Sequence, residues 1–207
     1  MSAAGAGRRL RPDLSVIAAM IPSGTRVLDL GCGEGELLDF LVHEKSVDGR
    51  GIELSQEGVN ACVSRGLSVI QGDVDTDLEA YPDEAFDVVI LSQTLPAVRH
   101  PREVLRELLR IGKRTIVSFP NVGALKRRLH FLLEGRIPAG PAFAWFDTPY
   151  IRPCTIRDFI RLCEDEGFVI ERRLTLDRQG RVVPFGRHRR LANLFGENAV
   201  FVLTRAR

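Results

Sequence analysis

Along the chain, short runs of β-branched and other apolar residues alternate with stretches whose apolar positions recur every three or four residues. That is the order expected of a sheet wrapped by helices. The pattern predicts strands over 25–30, 49–54, 67–71, 86–92, 115–119, 168–175 and 198–204. The run 86–92 is apolar almost throughout, as suits the buried middle of a parallel sheet. Helices are predicted over 34–44, with Leu37, Leu38, Leu41 and Val42 on one face, and over 56–65, 101–109, 124–133 and 155–166. Local chemistry agrees with these boundaries. Pro22, Ser23 and Gly24 turn the chain into the first strand, Gly66 and Gly167 follow two of the helices, and Thr155 can cap the last one. The expected fold class is α/β, with a doubly wound, seven-stranded, mostly parallel sheet whose last two strands are antiparallel.

Two stretches depart from the rhythm. Residues 1–13 hold Arg8, Arg9 and Arg11 without an apolar run, and read as a flexible tail rather than a secretory signal. Residues 121–154 form a long insertion rich in proline (Pro138, Pro141, Pro149, Pro153) that contains Trp145. The expected organisation is therefore one domain over 14–207 with an insertion at 121–154.

Composition narrows the functional classes. At 207 residues, 44% hydrophobic and 27% charged, the chain can bury an ordinary core, and no apolar stretch reaches the ~18 residues of a membrane span. The net charge of +2 does not call for nucleic acid. Arginines outnumber lysines 26 to 3, which we read as base composition. The clusters Lys126-Arg127-Arg128 and Arg187-His188-Arg189-Arg190 are solvated faces or phosphate patches. Cys32, Cys62, Cys154 and Cys163 lie far apart, as reduced thiols of a cytoplasmic protein with no metal site would.

The strongest chemical signal is Val27-Leu28-Asp29-Leu30-Gly31-Cys32-Gly33-Glu34-Gly35. A buried strand runs into glycines at alternate positions and then into a helix, at the sheet edge where open α/β folds bind ligands. A dinucleotide site would want a third glycine where Glu36 stands, and Glu34 and Glu36 would repel a pyrophosphate. Asp29 instead can accept from an ammonium, so a cationic, amino-acid-like ligand fits better. Glu53, ending the second strand, can accept from both ribose hydroxyls. Asp73 can accept from an adenine amino group while Val74 covers the ring. With Cys32, Gly35 and Ser92, these residues make the candidate site, which resembles that of the class I S-adenosylmethionine-dependent methyltransferases. The bland alternative is a set of turn glycines with solvated acids.

Methyl transfer relies on proximity and leaves no obligatory catalytic motif. The Asn/Asp-Pro-Pro-aromatic motif of amino methylation is absent, and Ser92-Gln93-Thr94-Leu95-Pro96 stands in its place. Pro153-Cys154 lies too late in the chain for a cytosine-methyltransferase nucleophile and reads as structural. His100 and His130 are candidate general bases or ordinary surface histidines.

More particular blocks extend the likeness. Phe86-Asp87-Val88-Val89-Ile90-Leu91-Ser92-Gln93-Thr94-Leu95, Ser118-Phe119-Pro120-Asn121, Trp145-Phe146-Asp147-Thr148-Pro149, Cys154-Thr155-Ile156-Arg157-Asp158-Phe159 and Asn193-Leu194-Phe195-Gly196-Glu197-Asn198 resemble the bacterial methionine-biosynthesis protein MetW family. One departure is Tyr150-Ile151-Arg152-Pro153, where that family usually reads Asn-Ile-His-Leu. The resemblance implies a companion subunit of MetX, a homoserine O-acyltransferase, with a methyltransferase's fold. An S-adenosylmethionine site without a recognisable acceptor motif adds the expectation of a sensor. On the companion reading Leu125, Leu129, Phe143, Trp145, Phe146 and Tyr150 dock a partner; otherwise they close the domain's own core. A methyltransferase acting on a small cytosolic metabolite is the alternative function, and NAD-dependent chemistry ranks below both.

Overall fold

The computed structural model describes residues 10–136, 151–183 and 189–205. Phe143, Trp145, Phe146, Tyr150 and the basic cluster at 187–188 lie outside them. A single sheet is built from β1 (Arg26–Leu30), β2 (Asp48–Glu53), β3 (Ser68–Gln71), β4 (Phe86–Ser92), β5 (Gly112–Pro120), β6 (Val169–Leu176), β7 (Val182–Val183) and β8 (Asn198–Thr204). Its order is β3-β2-β1-β4-β5-β8-β6-β7. The first five strands pair in parallel. β8 runs antiparallel between β5 and β6.

Among the described residues, eight strands, not seven, make the sheet. The extra one is β7, which pairs with Thr175 and Leu176 through a tight turn. There the Asp177 carboxylate accepts the N–H groups of Gln179 and Arg181, and Gly180 takes the left-handed conformation. Two residues are too few to display a period of two, so patterning alone does not reveal this strand.

Alternation along the strands feeds two cores. Val27, Val88, Ile90, Ile116, Val200 and Val202 face α1 (Pro12–Ala19) and α2 (Glu36–Lys45). Leu28, Val89, Leu91, Val117, Phe119 and Phe201 face α4 (Pro101–Ile111) and α6 (Ile156–Glu166). At the centre of the second layer, Phe119, Phe159 and Phe201 pack with ring centroids 4.7–5.9 Å apart. The remaining helices are α3 (Gln56–Ser64), α5 (Leu125–Glu134) and α7 (Arg189–Phe195).

Three details bear on the site. α1, which patterning left unassigned, buries Leu14, Ile17 and Ala18 against the sheet, and Lys45 of α2 donates to its Ala18 carbonyl at 2.7 Å. α2 starts at Glu36 rather than Glu34, because Gly35 at φ 78° is its left-handed N-cap and lies outside a right-handed helix. α6 carries the expected Thr155 cap as a reciprocal box with Asp158, and it ends on Gly167.

Candidate functional site

A cavity of about 490 Å³ opens at the carboxyl ends of β1 and β4. Asp29, Gly31, Cys32, Gly33 and Ser92 line it. Gly35 sits directly behind: a Cβ there would stand 2.8 Å from Cys62 Sγ. Gly31 is equally constrained, at φ 68° with its Cβ position 2.5 Å from Thr94 Oγ1. The loop therefore approaches its surroundings more closely than any side chain allows.

Asp29 is the chemically decisive residue. It is 3% exposed, lines the cavity, and its carboxylate has no hydrogen-bond donor among the described residues. Burial, with the nearby Glu53 carboxylate, pushes its pKa up to about 7. A buried carboxylate without a donor is costly, and a cation brought into the cavity would relieve that cost.

Glu53 is held for a role of its own. Its Oε2 accepts the Gly33 N–H at 2.8 Å and its Oε1 the Ser55 N–H at 2.9 Å. The second strand is thereby tied to the glycine loop, although Glu53 does not itself line the cavity. Asp73 and Val74 follow β3 and do not line the cavity. Val74 packs against the larger core, and Asp73 is paired with Arg99.

The cavity also draws on residues that sequence reasoning did not place there: Arg11, Arg65, Gln93 and Thr94. Arg11 reaches across from the start of α1, donating its N–H to Glu36 at 3.1 Å, and Arg65 pairs with Glu34 at 3.7 Å. The two acids expected to repel a pyrophosphate are thus each met by an arginine. Gln93 takes φ 61°, an uncommon conformation for a side-chain-bearing residue, and its N–H donates to the Ser118 carbonyl at 2.9 Å. Thr94 Oγ1 donates to the Ser92 carbonyl at 3.1 Å. The Ser-Gln-Thr-Leu block was the available signal for this loop.

Other candidate groups lie elsewhere. His100 faces Asp75 at 3.5 Å and His130 faces Glu134 at 3.0 Å; neither lines the cavity. Burial, reinforced by Asp29, pushes the Cys32 thiol far up, and burial takes Cys154 up to about 12, so neither is a ready thiolate. No group of three metal-ligating side chains occurs among the described residues, and no described helix is long and apolar enough to cross a membrane.

A parallel five-stranded half with an antiparallel strand threaded beyond β5, and a glycine loop at its ligand edge, define the fold of S-adenosylmethionine-dependent methyltransferases. Solved structures agree. An S-adenosylmethionine-dependent methyltransferase from Thermotoga maritima superimposes with a TM-score of 0.69 at 20% identity, covering 94% of this chain and 88% of that one. The [4+2]-cyclase SpnF superimposes at 0.65 with 19% identity, covering 96% and 85%. At such identities the likeness concerns the fold alone.

Sequence relationships are closer. The model of the family described as "Methionine biosynthesis protein MetW" matches residues 11–203, and the chain belongs to that family. It is 38% identical over 179 residues to the "Bifunctional methionine biosynthesis protein MetXA/MetW" of Rhodopirellula baltica, a match that covers 81% of this chain. This chain spans only 29% of that relative's length.

Proposed function

We propose that the cavity binds S-adenosylmethionine and that the chain acts as a companion subunit of a MetX-type homoserine O-acyltransferase, reading the cofactor rather than consuming it. The observation that carries the ligand is Asp29. Its buried carboxylate, open to the cavity and without a donor among the described residues, matches the ammonium of an amino acid. Gly33, with nothing within 4 Å of its Cβ position, leaves room beside it, and Glu53, tied to the Gly33 N–H, is the acid we assign to a ribose. The residues lining the cavity therefore fit the amino-acid end of the group. When bound, S-adenosylmethionine supplies an electrophilic methyl on its sulfonium; this chain's residues orient its amino-acid end.

The companion role is supported by the bifunctional relative, whose name joins MetXA and MetW in one polypeptide. SpnF illustrates that this fold also serves proteins named for other chemistry. Methyl transfer to a small metabolite is the second reading, since such transfer rests on proximity and alignment and needs no catalytic motif that this chain lacks.

The test is the homoserine acylation rate of the host acyltransferase with and without this chain, repeated with S-adenosylmethionine. The expected result is a large rise on adding the chain and a further change with the ligand. Asp29→Asn should weaken S-adenosylmethionine binding about 100-fold or more, by removing one partner of a buried charge pair. No effect of the chain on acylation, together with steady formation of S-adenosylhomocysteine, would replace this reading with the methyltransferase one.

A further inference from the structure

Three of the blocks singled out in the sequence, those at 118–121, 154–159 and 193–198, meet beyond the end of β5. Asn121 ties them together. Its Nδ2 donates to the Asn193 and Gly196 carbonyls at 2.9 and 2.7 Å, and its Oδ1 accepts the Gly123 and Ile156 N–H groups at 3.0 and 3.4 Å. Asn193 is the contrast. It is only 3% exposed, yet its Oδ1 has no hydrogen-bond partner among the described residues. A buried acceptor left unpaired is costly, and a donor brought to it relieves that cost.

Asn193 lines a second cavity, of about 690 Å³, between α5, α6 and α7. It shares no lining residue with the cavity at the glycine loop. Two of its guanidiniums have no carboxylate partner among the described residues. Arg157 makes no ion pair there, and Arg128 donates its Nε to the Gly123 carbonyl at 2.6 Å. Two of the acids are already engaged: Asp158 accepts from Thr155 Oγ1 at 2.6 Å, and Asp165 faces Arg161 at 3.9 Å. Arg157 also stands in the first turn of α6, the end of a helix that favours negative charge.

Free guanidiniums suit a carboxylate, and the Asn193 acceptor asks for a donor close beside it. Three arginines stand against Asp158, Glu164 and Asp165, so the lining carries no net charge and disfavours a dianion such as phosphate. A carboxylate with an ammonium one carbon away, neutral as a whole, meets these conditions together. We infer that this cavity binds a zwitterionic α-amino acid, with Arg128 and Arg157 on its carboxylate and Asn193 on its ammonium. The inference goes beyond the S-adenosylmethionine reading and does not depend on it.

The experiment is calorimetric titration of the full chain with each standard L-amino acid and L-homoserine in turn. At least one should bind, and its decarboxylated amine and its deaminated acid should each bind about tenfold or more weakly, the scale of a lost charge-assisted hydrogen bond. Arg157→Met keeps the aliphatic stem and should weaken binding about tenfold, while Arg127→Met, on the same side of the molecule but outside the cavity, should leave it unchanged. Asn193→Leu should weaken binding by a similar factor yet melt no lower than wild type, because it removes a polar atom that has no partner to lose. A purely structural Asn193 would instead lower the melting temperature and spare the ligand. Failure of every amino acid to bind wild type would overturn the inference. So would equal binding of the deaminated acid or of inorganic phosphate, which marks a plain anion site. Binding that survives Arg157→Met and Asn193→Leu but is lost in Asp29→Asn would place the amino acid at the glycine loop and overturn it too, leaving the cofactor reading standing.

Discussion

Asp29 shows how one residue can carry both a cost and a function. With its pKa at about 7 in the folded chain and 3.8 as the ordinary value, the native state holds a proton that the unfolded chain has already released between those limits. Stability therefore falls as pH rises from about 4 to about 7 and is flat above. At roughly 1.4 kcal/mol per unit, the penalty at pH 8 is of order 4 kcal/mol. Asp29→Asn should accordingly melt higher than wild type at pH 8, with the difference fading by pH 4, as calorimetry would record. The ligand has the opposite dependence. Its ammonium needs the carboxylate, so S-adenosylmethionine affinity should rise about tenfold per unit toward pH 7 and decline again above about 8, where an α-amino group loses its proton. A pH-independent dissociation constant between 5 and 8 would contradict the assignment of Asp29 to that ammonium.

Elements differ in how plainly they announce themselves. α6 was fully legible, because Thr155, Asp158 and Gly167 write both its ends into the sequence. Thr155→Ala should cost about 1 kcal/mol of stability in denaturant titrations and leave ligand affinity unchanged. α1 was missed because its apolar positions follow directly on the arginine-rich opening, and because eight residues give a short stripe to recognise. α5 is legible as a helix but not in its setting. It has no buried residue, and Leu132 and Leu133 are 76% and 80% exposed. Leu132→Glu should therefore change the melting free energy by no more than about 0.5 kcal/mol, which is the behaviour of an exposed position. A loss of several kcal/mol would place that side chain in a packed core.

At the scale of the whole molecule, the parallel half of the sheet and the strand–loop–helix core of the site were readable, because Asp29, Gly31, Cys32 and Gly33 are neighbours in sequence as well as in space. Arg11, Arg65, Gln93 and Thr94 reach the cavity from three other segments, and periodicity within a segment says nothing of where its ends meet another. The same separation of chain order from spatial order governs β8. It forms last along the chain yet lies inside the sheet, with β5 on one side and β6 on the other. Until it arrives, two earlier strands expose facing edges with unpaired N–H and C=O groups. The closing of the sheet is thus a long-range event that waits on synthesis of the final strand, after β1 to β4 have every partner they need. Nascent chains stopped before Asn198 should show slow amide exchange in β1 and β4 and rapid exchange in β6. Their open edges would make this interval of biogenesis the one in which the protein depends most on chaperones.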